Sequence, residues 1–183
     1  MVIQEIPFQL KDGRQAILRS PGEKDAADML AFFTRAAGET DFLLSSPEEL
    51  KDYTLEREQA FLQDMAAAPE RTMIACYVED RLAGNCQLAR LNGLKQRHRA
   101  GVAIALLKDY WGLGIGTRMF EELIALARSL GGVRQLELDF IEGNSRARAL
   151  YEKMGFRITG VKPDAICLRD GTLRNEYMMV RRL

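Results

Sequence analysis

The sequence predicts one α/β domain built from about seven strands and four helices. Amphipathic helical stripes alternate with short apolar runs, and no proline- or glycine-rich linker divides the 183 residues. In chain order, the predicted elements are β-α-α-β-β-β-α-β-α-β-β. A chain of this length with 47% hydrophobic residues buries well over half of its unfolded surface, so its fold needs no disulfide or metal.

The N-terminal third predicts one strand followed by two helices. Residues Gln15–Arg19 alternate in character, as a strand does. Ser-Pro-Gly-Glu at 20–23 is typical of a helix start, because serine caps, proline suits the first helical position and glutamate bonds back to the serine. The same pattern at 46–49 predicts a second helix that reaches about Ala67. A loop with an apolar patch, residues 38–44, separates the two helices.

The middle of the chain predicts a hairpin and then a third strand. Thr72–Val78 and Leu82–Leu91 are the two hairpin strands. The basic run Lys95–Arg99 is interpreted as a solvated turn that leads into the strand Arg99–Leu107. Because every residue of 102–107 is apolar, we predict that this strand is buried on both faces.

The C-terminal third predicts two helices that each lie between strands. The apolar stripe of the first helix consists of Met119, Phe120, Leu123, Ile124, Ala127 and Leu130, and Gly131-Gly132 ends it. The elements that follow are the strand Gln135–Phe140, the helix Asn144–Met154, the strand Phe156–Val161 and the strand Arg174–Val180.

Composition argues against several classes of partner. The 26 basic and 26 acidic residues cancel, so the chain has no general attraction to nucleic acid or anionic lipid. The longest run without strongly polar residues, Ala100–Leu107, is far shorter than the roughly 20 residues of a membrane-spanning helix. The first residues lack the layout of a signal peptide. We therefore expect a cytoplasmic protein that binds neither nucleic acid nor membrane.

The cysteines and the single histidine argue against metal and nucleophilic chemistry. Cys76, Cys86 and Cys167 are widely spaced, and His98 is the only imidazole, so neither a zinc cage nor a CxxC motif is present. We expect three reduced, buried cysteines and no metal site. A Ser-His-Asp or Cys-His nucleophile would depend on His98 alone, which lies in the basic run.

A glycine-rich turn separates the apolar third strand from the next helix. Its sequence is Tyr-Trp-Gly-Leu-Gly-Ile-Gly-Thr at 110–117. Glycines leave amide groups open to an incoming anion, and the helix start adds free N–H donors and the positive end of its dipole. This combination predicts a phosphate site. A Walker loop needs a glycine five residues after its first glycine, but Thr117 and Met119 stand at that distance from Gly112 and Gly114. A dinucleotide fingerprint needs a glycine or alanine three residues after its second glycine, where Thr117 stands.

A second motif begins at Asn144 and ends at Phe156. On a helix, Asn144, Ala147 and Tyr151 lie along one side, since residues seven apart are nearly eclipsed. The small alanine between an amide and a phenol leaves a channel for a long, thin ligand. Taken singly, Asn144 is better explained as a helix cap and Tyr151 as a core aromatic.

Together, the two motifs resemble the GNAT superfamily of acetyl-CoA-dependent N-acetyltransferases. The motifs cover residues 102–156, and the flanking elements fit the same fold order over nearly the whole chain. The resemblance implies a GNAT fold, in which a mixed sheet splays apart between the strands 99–107 and 135–140 and acyl-CoA lies in the gap. It also implies acetyl transfer to a primary amine by direct attack in a ternary complex.

The resemblance also implies roles for individual residues. The amides that would hold the pyrophosphate are those of Trp111, Gly112, Leu113, Gly114, Ile115, Gly116 and Thr117. Main-chain groups of Leu106 and Leu107 would pair with the pantetheine arm and polarise the acyl carbonyl. Asn144 would bond acetyl-CoA, and Tyr151 would be the general acid. Trp111 departs from the glutamine or arginine that the family often has there.

The sequence leaves the general base and the acceptor open. Many relatives carry a glutamate on the strand before the glycine turn, but residues 100–106 contain no carboxylate. Glu39, Glu137, Asp139 or a water chain are the candidates. The acceptor is a small-molecule amine or a protein N-terminus, and a homodimer is a family expectation. The missing glutamate motivates an alternative, a non-catalytic acyl-CoA sensor; a nucleotide-binding domain is a third, weaker hypothesis.

Overall fold

The computed structural model describes residues 1–183 and contains one open sheet of eight strands. The strands are β1 (Ile6–Gln9), β2 (Gln15–Arg19), β3 (Arg71–Val78), β4 (Arg81–Arg90), β5 (Arg99–Leu106), β6 (Gln135–Ile141), β7 (Arg157–Cys167) and β8 (Leu173–Arg182). The helices are α1 (Ala26–Glu39), α2 (Pro47–Leu50), α3 (Leu55–Ala67), α4 (Ile115–Ser129) and α5 (Ser145–Lys153). The sheet order is β1-β2-β3-β4-β5-β6-β8-β7.

The sheet parts between its two central strands. All neighbouring strands are antiparallel except β5 and β6, which are parallel. These two pair only where Arg99–Gly101 meets Gln135–Glu137. Both strands continue beyond that point, to Leu106 and Ile141, without pairing with each other. The predicted splay of a mixed sheet is therefore confirmed.

Helices cover both faces of the sheet. Met73 of β3 packs with Met29 of α1 and Leu62 of α3, so these two helices lie on one face, which we call the α1 face. Successive residues of a strand point to opposite faces. The register aligns Met73 with Gln87 and Gln87 with Ala103, which places Ala103 of β5 on the α1 face. Helix α4 lies on the other face, the α4 face.

Two predicted helices begin or end elsewhere than their sequence signals indicated. The first helix begins at Ala26, because the Ser20 hydroxyl accepts a hydrogen bond from the Ile3 amide and caps nothing. The second cap signal is confirmed, since Ser46 and Glu49 exchange side-chain and backbone hydrogen bonds. The helix it opens is only one turn long, however, because Thr54 caps a separate helix, α3.

Strand counts and lengths also differ from the prediction. Strand β1 was not predicted; it pairs with β2 at the edge of the sheet. With β1 and the division of the second predicted helix into α2 and α3, the structure has eight strands and five helices in place of seven and four. The hairpin of β7 and β8 is also longer than expected. The remaining strands, the helix that ends before Gly131-Gly132 and the exposed basic turn are confirmed.

Two burial predictions are wrong. Strand β5 is not buried on both faces: Ala103 is exposed and Ile104, Ala105 and Leu106 are half-buried, because the gap borders this strand. Cys167 is exposed, whereas Cys76 and Cys86 are buried as expected. Burial raises the pKa of the Cys76 thiol to about 12 and that of Cys86 well above its ordinary value. None of the helices has both the length and the apolar character required to span a bilayer.

Candidate acetyl-CoA and acceptor site

The glycine-rich turn bends the chain sharply into α4. Gly112 has a φ of 81° and Gly114 a φ of 96°, in the left-handed region that side chains rarely adopt. Gly114 is the residue that precedes the first turn of α4. Gly116 serves packing instead: a Cβ there would lie 2.8 Å from Cδ2 of Leu150 and 3.5 Å from Cδ1 of Leu106.

The bend presents a row of unused amides. None of the six backbone N–H groups from Gly112 to Thr117 donates to a backbone carbonyl. The amide of Trp111, by contrast, donates to the carbonyl oxygen of Lys108 at 3.1 Å, so it does not belong to this row. Six free donors at the positive end of a helix suit an anion, so the predicted phosphate site has available donors at residues 112–117.

Cationic side chains surround the bend although the whole chain has no net charge. Carbons of the Lys11 side chain lie 3.8 and 3.9 Å from where a Cβ of Gly114 would be. Nζ of Lys153 donates to the Thr117 hydroxyl at 3.2 Å, and the guanidinium of Arg146 lies 4.9 Å from the centre of the Trp111 ring. These three cations were not predicted from the sequence, because only the fold brings their distant positions together.

The backbone of β5 beside the gap has few free groups. The Leu107 amide donates to Ala83 at 3.0 Å, and its carbonyl oxygen accepts from the Tyr110 amide at 3.0 Å. The N–H group of Leu107 is therefore occupied, and its carbonyl oxygen keeps one lone pair for a ligand, so its predicted binding role stays a prediction. Because ladder bonds alternate along an antiparallel strand, the N–H groups of Ile104 and Leu106 point away from β4 and toward the gap.

Asn144, Ala147 and Tyr151 all line the same cleft. Asn144 caps α5, since its Oδ1 accepts from the Ala147 amide at 3.2 Å, and this leaves its amide nitrogen for another partner. The Tyr151 ring packs with its centre 5.6 Å from that of Phe120 and 6.0 Å from that of Phe140. Burial raises the pKa of the Tyr151 hydroxyl to about 12.

The cleft passes through the sheet at the gap and has a volume of about 510 Å³. Its α4-face half contains the glycine turn and Tyr151. Its α1-face half contains Ala103 and Asp139. Gly101 and Glu137 are paired and point to the same face. Ala103 and Asp139 each lie two residues farther along their strands, so they share that face as well. We call this second half the α1 chamber. A ligand on each side of the sheet can therefore meet the other between β5 and β6.

The three candidate bases differ in their surroundings. Both carboxylate oxygens of Glu39 are occupied, one by the Lys108 amide at 2.7 Å and the other by Nε of Arg35 at 2.7 Å. Glu137 is paired with Arg99 where the strands begin to part. Only Asp139 lines the cleft.

The surroundings of Asp139 raise the pKa of its carboxyl, although 46% of the side chain is exposed. Burial raises the pKa of this carboxyl, and the neighbouring Glu176 and Glu137 carboxylates add to the effect. Nζ of Lys162, 3.7 Å away, acts in the opposite direction. Asp139 is therefore a carboxylate at the cleft whose proton affinity is higher than usual, as suits a group that accepts a proton from a ligand.

The donors match a long ligand that has a diphosphate at one end and a thin arm. The six amides and their neighbouring cations suit the diphosphate, and the groove along β5 and Ala147 suits the arm. No cluster of three or more His, Cys, Asp or Glu side chains is arranged to hold a metal ion.

Comparison with known proteins agrees with this geometry. The model of the Acetyltransferase (GNAT) family matches residues 39–156. The chain belongs to the GNAT family of acetyltransferases, as the two motifs predicted. Uncharacterized N-acetyltransferases of Mycobacterium bovis and Mycobacterium tuberculosis are 28% identical to it over 115 residues, which are 63% of this chain and 69% of theirs.

Solved structures share the whole architecture. A GNAT-family acetyltransferase from Streptococcus pneumoniae has a TM-score of 0.86 at 28% identity, covering 92% of this chain and 99% of that one. The yncA protein of Salmonella typhimurium, solved with its cofactor acetyl-CoA, has a TM-score of 0.79 at 15% identity, covering 92% and 94%. At that identity, the second likeness concerns the fold alone.

Proposed function

We propose that this protein transfers an acetyl group from acetyl-CoA to a primary amine, by direct attack of the amine in a ternary complex. The observation that carries the proposal is the row of six unpaired amides, 112–117, beside a gap that opens to both faces of the sheet. One face then holds acetyl-CoA and the other holds the acceptor.

The binding roles follow from the free groups. The amides of 112–117, with Lys11 and Lys153 beside them, hold the diphosphate of acetyl-CoA. The N–H group of Leu106 and the amide nitrogen of Asn144 face the arm. The indole of Trp111 donates a hydrogen bond to Leu106 and so helps to hold the end of β5 in place. Its backbone amide is paired with Lys108 and does not bind the diphosphate.

Acetyl-CoA, when bound, supplies an activated thioester. The Leu106 N–H group faces the acyl oxygen and stabilises the negative charge that develops there. Tyr151 keeps its proton at neutral pH, because its pKa is about 12, and gives that proton to the departing sulfur. Burial beside Tyr151 also raises the pKa of the CoA thiol, because it disfavours the charged thiolate. A higher thiol pKa favours proton transfer from Tyr151 to the sulfur.

Asp139 is the proposed base. An alkylammonium titrates near pH 10, so the acceptor must lose a proton before it attacks. Asp139 takes that proton; the nitrogen–carbon bond then forms and the carbon–sulfur bond breaks. The nitrogen loses a second proton, which restores the one that Tyr151 gave to sulfur. Glu39 and Glu137 suit this role less well, because neither side chain lines the cleft and both carboxylate oxygens of Glu39 already accept hydrogen bonds.

The experiment that tests the proposal is a thiol-release assay with acetyl-CoA and a broad panel of amines. We expect thiol release that depends on an amine, with acetylated amine as the matching product. Amine-independent release, or none with acetyl-CoA bound, contradicts the proposal. The second outcome favours the non-catalytic sensor, for which the missing carboxylate of residues 100–106 is the motivation.

A further inference from the structure

The α1 chamber is lined almost entirely by apolar side chains. Its lining comprises Phe33, Ala36, Ala37, Thr40, Phe42, Leu43, Leu44, Ser45, Leu50, Ala103, Ala105 and Asp139. The two cations of the cleft, Lys11 and Arg146, lie at the glycine turn on the other side of the sheet. Asp139 is therefore the single ionisable group that lines this chamber.

From this chamber we infer the acceptor class: a small primary amine with one apolar substituent, whose ammonium group meets Asp139 while its alkyl or aryl chain lies against α1 and residues 42–50. This inference rests on the proposed function and specifies its substrate. A single carboxylate in an apolar site selects a ligand with one positive charge and no further polar group.

The same lining disfavours the other amine classes. An amino acid needs a cation for its carboxylate. The chamber lining contains none, and the nearest one, Nζ of Lys162 at 3.7 Å from Asp139, is bound by Glu176 at 2.7 Å. An amino sugar needs several hydrogen-bond partners, but only the hydroxyls of Thr40 and Ser45 accompany Asp139. A polyamine would place its second ammonium group among leucine and phenylalanine side chains, which is costly without a counter-charge.

The segment 40–50 also favours a small acceptor over a polypeptide. It leaves α1 and crosses toward the opposite half of the sheet, where the Phe42 ring lies 3.6 Å from the position of a Cβ on Gly143. Farther along, Glu48 and Arg169 form an ion pair of 3.2 Å between α2 and the β7–β8 turn. Both side chains of this pair are more than half exposed, so the pair is weak and can open for a small ligand.

The test compares matched amines by kcat/KM. Butylamine and hexylamine differ by two methylenes, and burial of these favours hexylamine roughly 10-fold. 1,6-Diaminohexane has the length of hexylamine and a second ammonium group, so we expect it to be at least about 10-fold poorer. Glucosamine, alanine and a peptide with a free N-terminus complete the panel and are expected to react more slowly than hexylamine.

A variant that fills the chamber supports the comparison. Ala103→Leu places a larger side chain in the chamber and is expected to remove the preference in kcat/KM for hexylamine over butylamine. Leu173→Ser, at an exposed position outside the cleft, is the control and is expected to keep that preference. Calorimetric binding of acetyl-CoA shows that each variant is folded.

The outcomes separate the two proposals. If the diamine, the sugar, the amino acid or the peptide is the best acceptor, the acetyltransferase proposal stands and the inferred substrate class is wrong. Equal rates for butylamine and hexylamine, or the same preference in Ala103→Leu, also contradict the inferred class. If no amine is acetylated although acetyl-CoA binds, the proposed acetyltransferase function is wrong, and the inferred substrate class is wrong with it.

Discussion

The indole Nε1 of Trp111 donates a hydrogen bond to the carbonyl oxygen of Leu106 at 2.9 Å. This bond joins the last residue of β5 to the residue that precedes the glycine bend. It fixes the Leu106 N–H group, which faces the gap, relative to the amides of residues 112–117. Trp111 thus positions two parts of the acetyl-CoA site, although its own amide is paired with Lys108.

Trp111→Phe tests this positioning role. Phenylalanine keeps an aromatic ring beneath Arg146 but loses the N–H donor. We expect acetyl-CoA to bind about 3- to 10-fold more weakly, the usual worth of one hydrogen bond, as measured by calorimetry. Unchanged affinity would show that the bond does not help to arrange the site.

Gly114→Val tests the bend itself. Valine is strained at a φ of 96° and forces the bend to rearrange, so we expect no measurable binding of acetyl-CoA. Gly171→Val is the matched control: its φ is 83° and it lies at the β7–β8 turn with no atom within 4 Å of an added Cβ. We expect Gly171→Val to lose a similar amount of stability and to keep its affinity for acetyl-CoA. If both variants lose binding, the loss is caused by misfolding and not by the change in the bend.

Tyr151→Phe tests the general acid. We expect acetyl-CoA affinity to persist while kcat falls roughly 100-fold or more, because only the proton donor is removed. Tyr177→Phe provides the comparison, since Tyr177 stacks on Phe140 with ring centres 5.2 Å apart and does not line the cleft. A normal rate in Tyr151→Phe would exclude this phenol as the acid.

Asp139→Asn tests the base through the pH profile. Since burial raises the pKa of Asp139, the acidic inflection of kcat/KM should lie above the usual carboxylate value of about 3.9. Asparagine should abolish that inflection and lower the rate at neutral pH roughly 100-fold. Asp164→Asn, outside the cleft, should leave the profile unchanged. Retention of the inflection in Asp139→Asn would assign it to another group.

A stability prediction concerns Glu58 of α3. This side chain is buried, its Oε1 has no hydrogen-bond partner, and burial raises its pKa. A carboxyl whose folded-state pKa is raised loses stability as pH rises from its unfolded pKa through its folded one. Glu58→Gln should therefore raise the free energy of unfolding at pH 7 by about 1 kcal/mol, and by less at pH 4.

Urea unfolding at the two pH values measures this change. Asp64→Asn, at an exposed position on the same helix, is the control and should change little. If Glu58→Gln destabilises the protein at pH 7, or if its effect is equal at both values, the buried carboxyl is not the source of the pH dependence.

The two motifs were predictable, because each depends on local residue types at fixed spacing, and the parting of the sheet was implied by the family that the motifs resemble. Glycines at 112 and 114 need a left-handed bend, and Asn144 caps the helix that it precedes. The short strand β1 gave no such signal: it has four residues, one of them proline, and it depends on pairing with β2.

The surroundings of the cleft were not predictable from periodicity. A strand face that borders a ligand gap has the same apolar residues as one covered by a helix, so β5 was expected to be buried on both faces. The choice among Glu39, Glu137 and Asp139 likewise depends on partners far apart in the chain, such as Lys108 for Glu39 and Arg99 for Glu137.

The most direct measurement is a nuclear magnetic resonance titration of the backbone amides with acetyl-CoA. If the bend holds the diphosphate, the resonances of residues 112–117 shift together and saturate with the same affinity that calorimetry gives. The amides of the β7–β8 turn near Gly171 should not move. Saturable binding that leaves the resonances of 112–117 in place would contradict the assignment of this bend as the acetyl-CoA site.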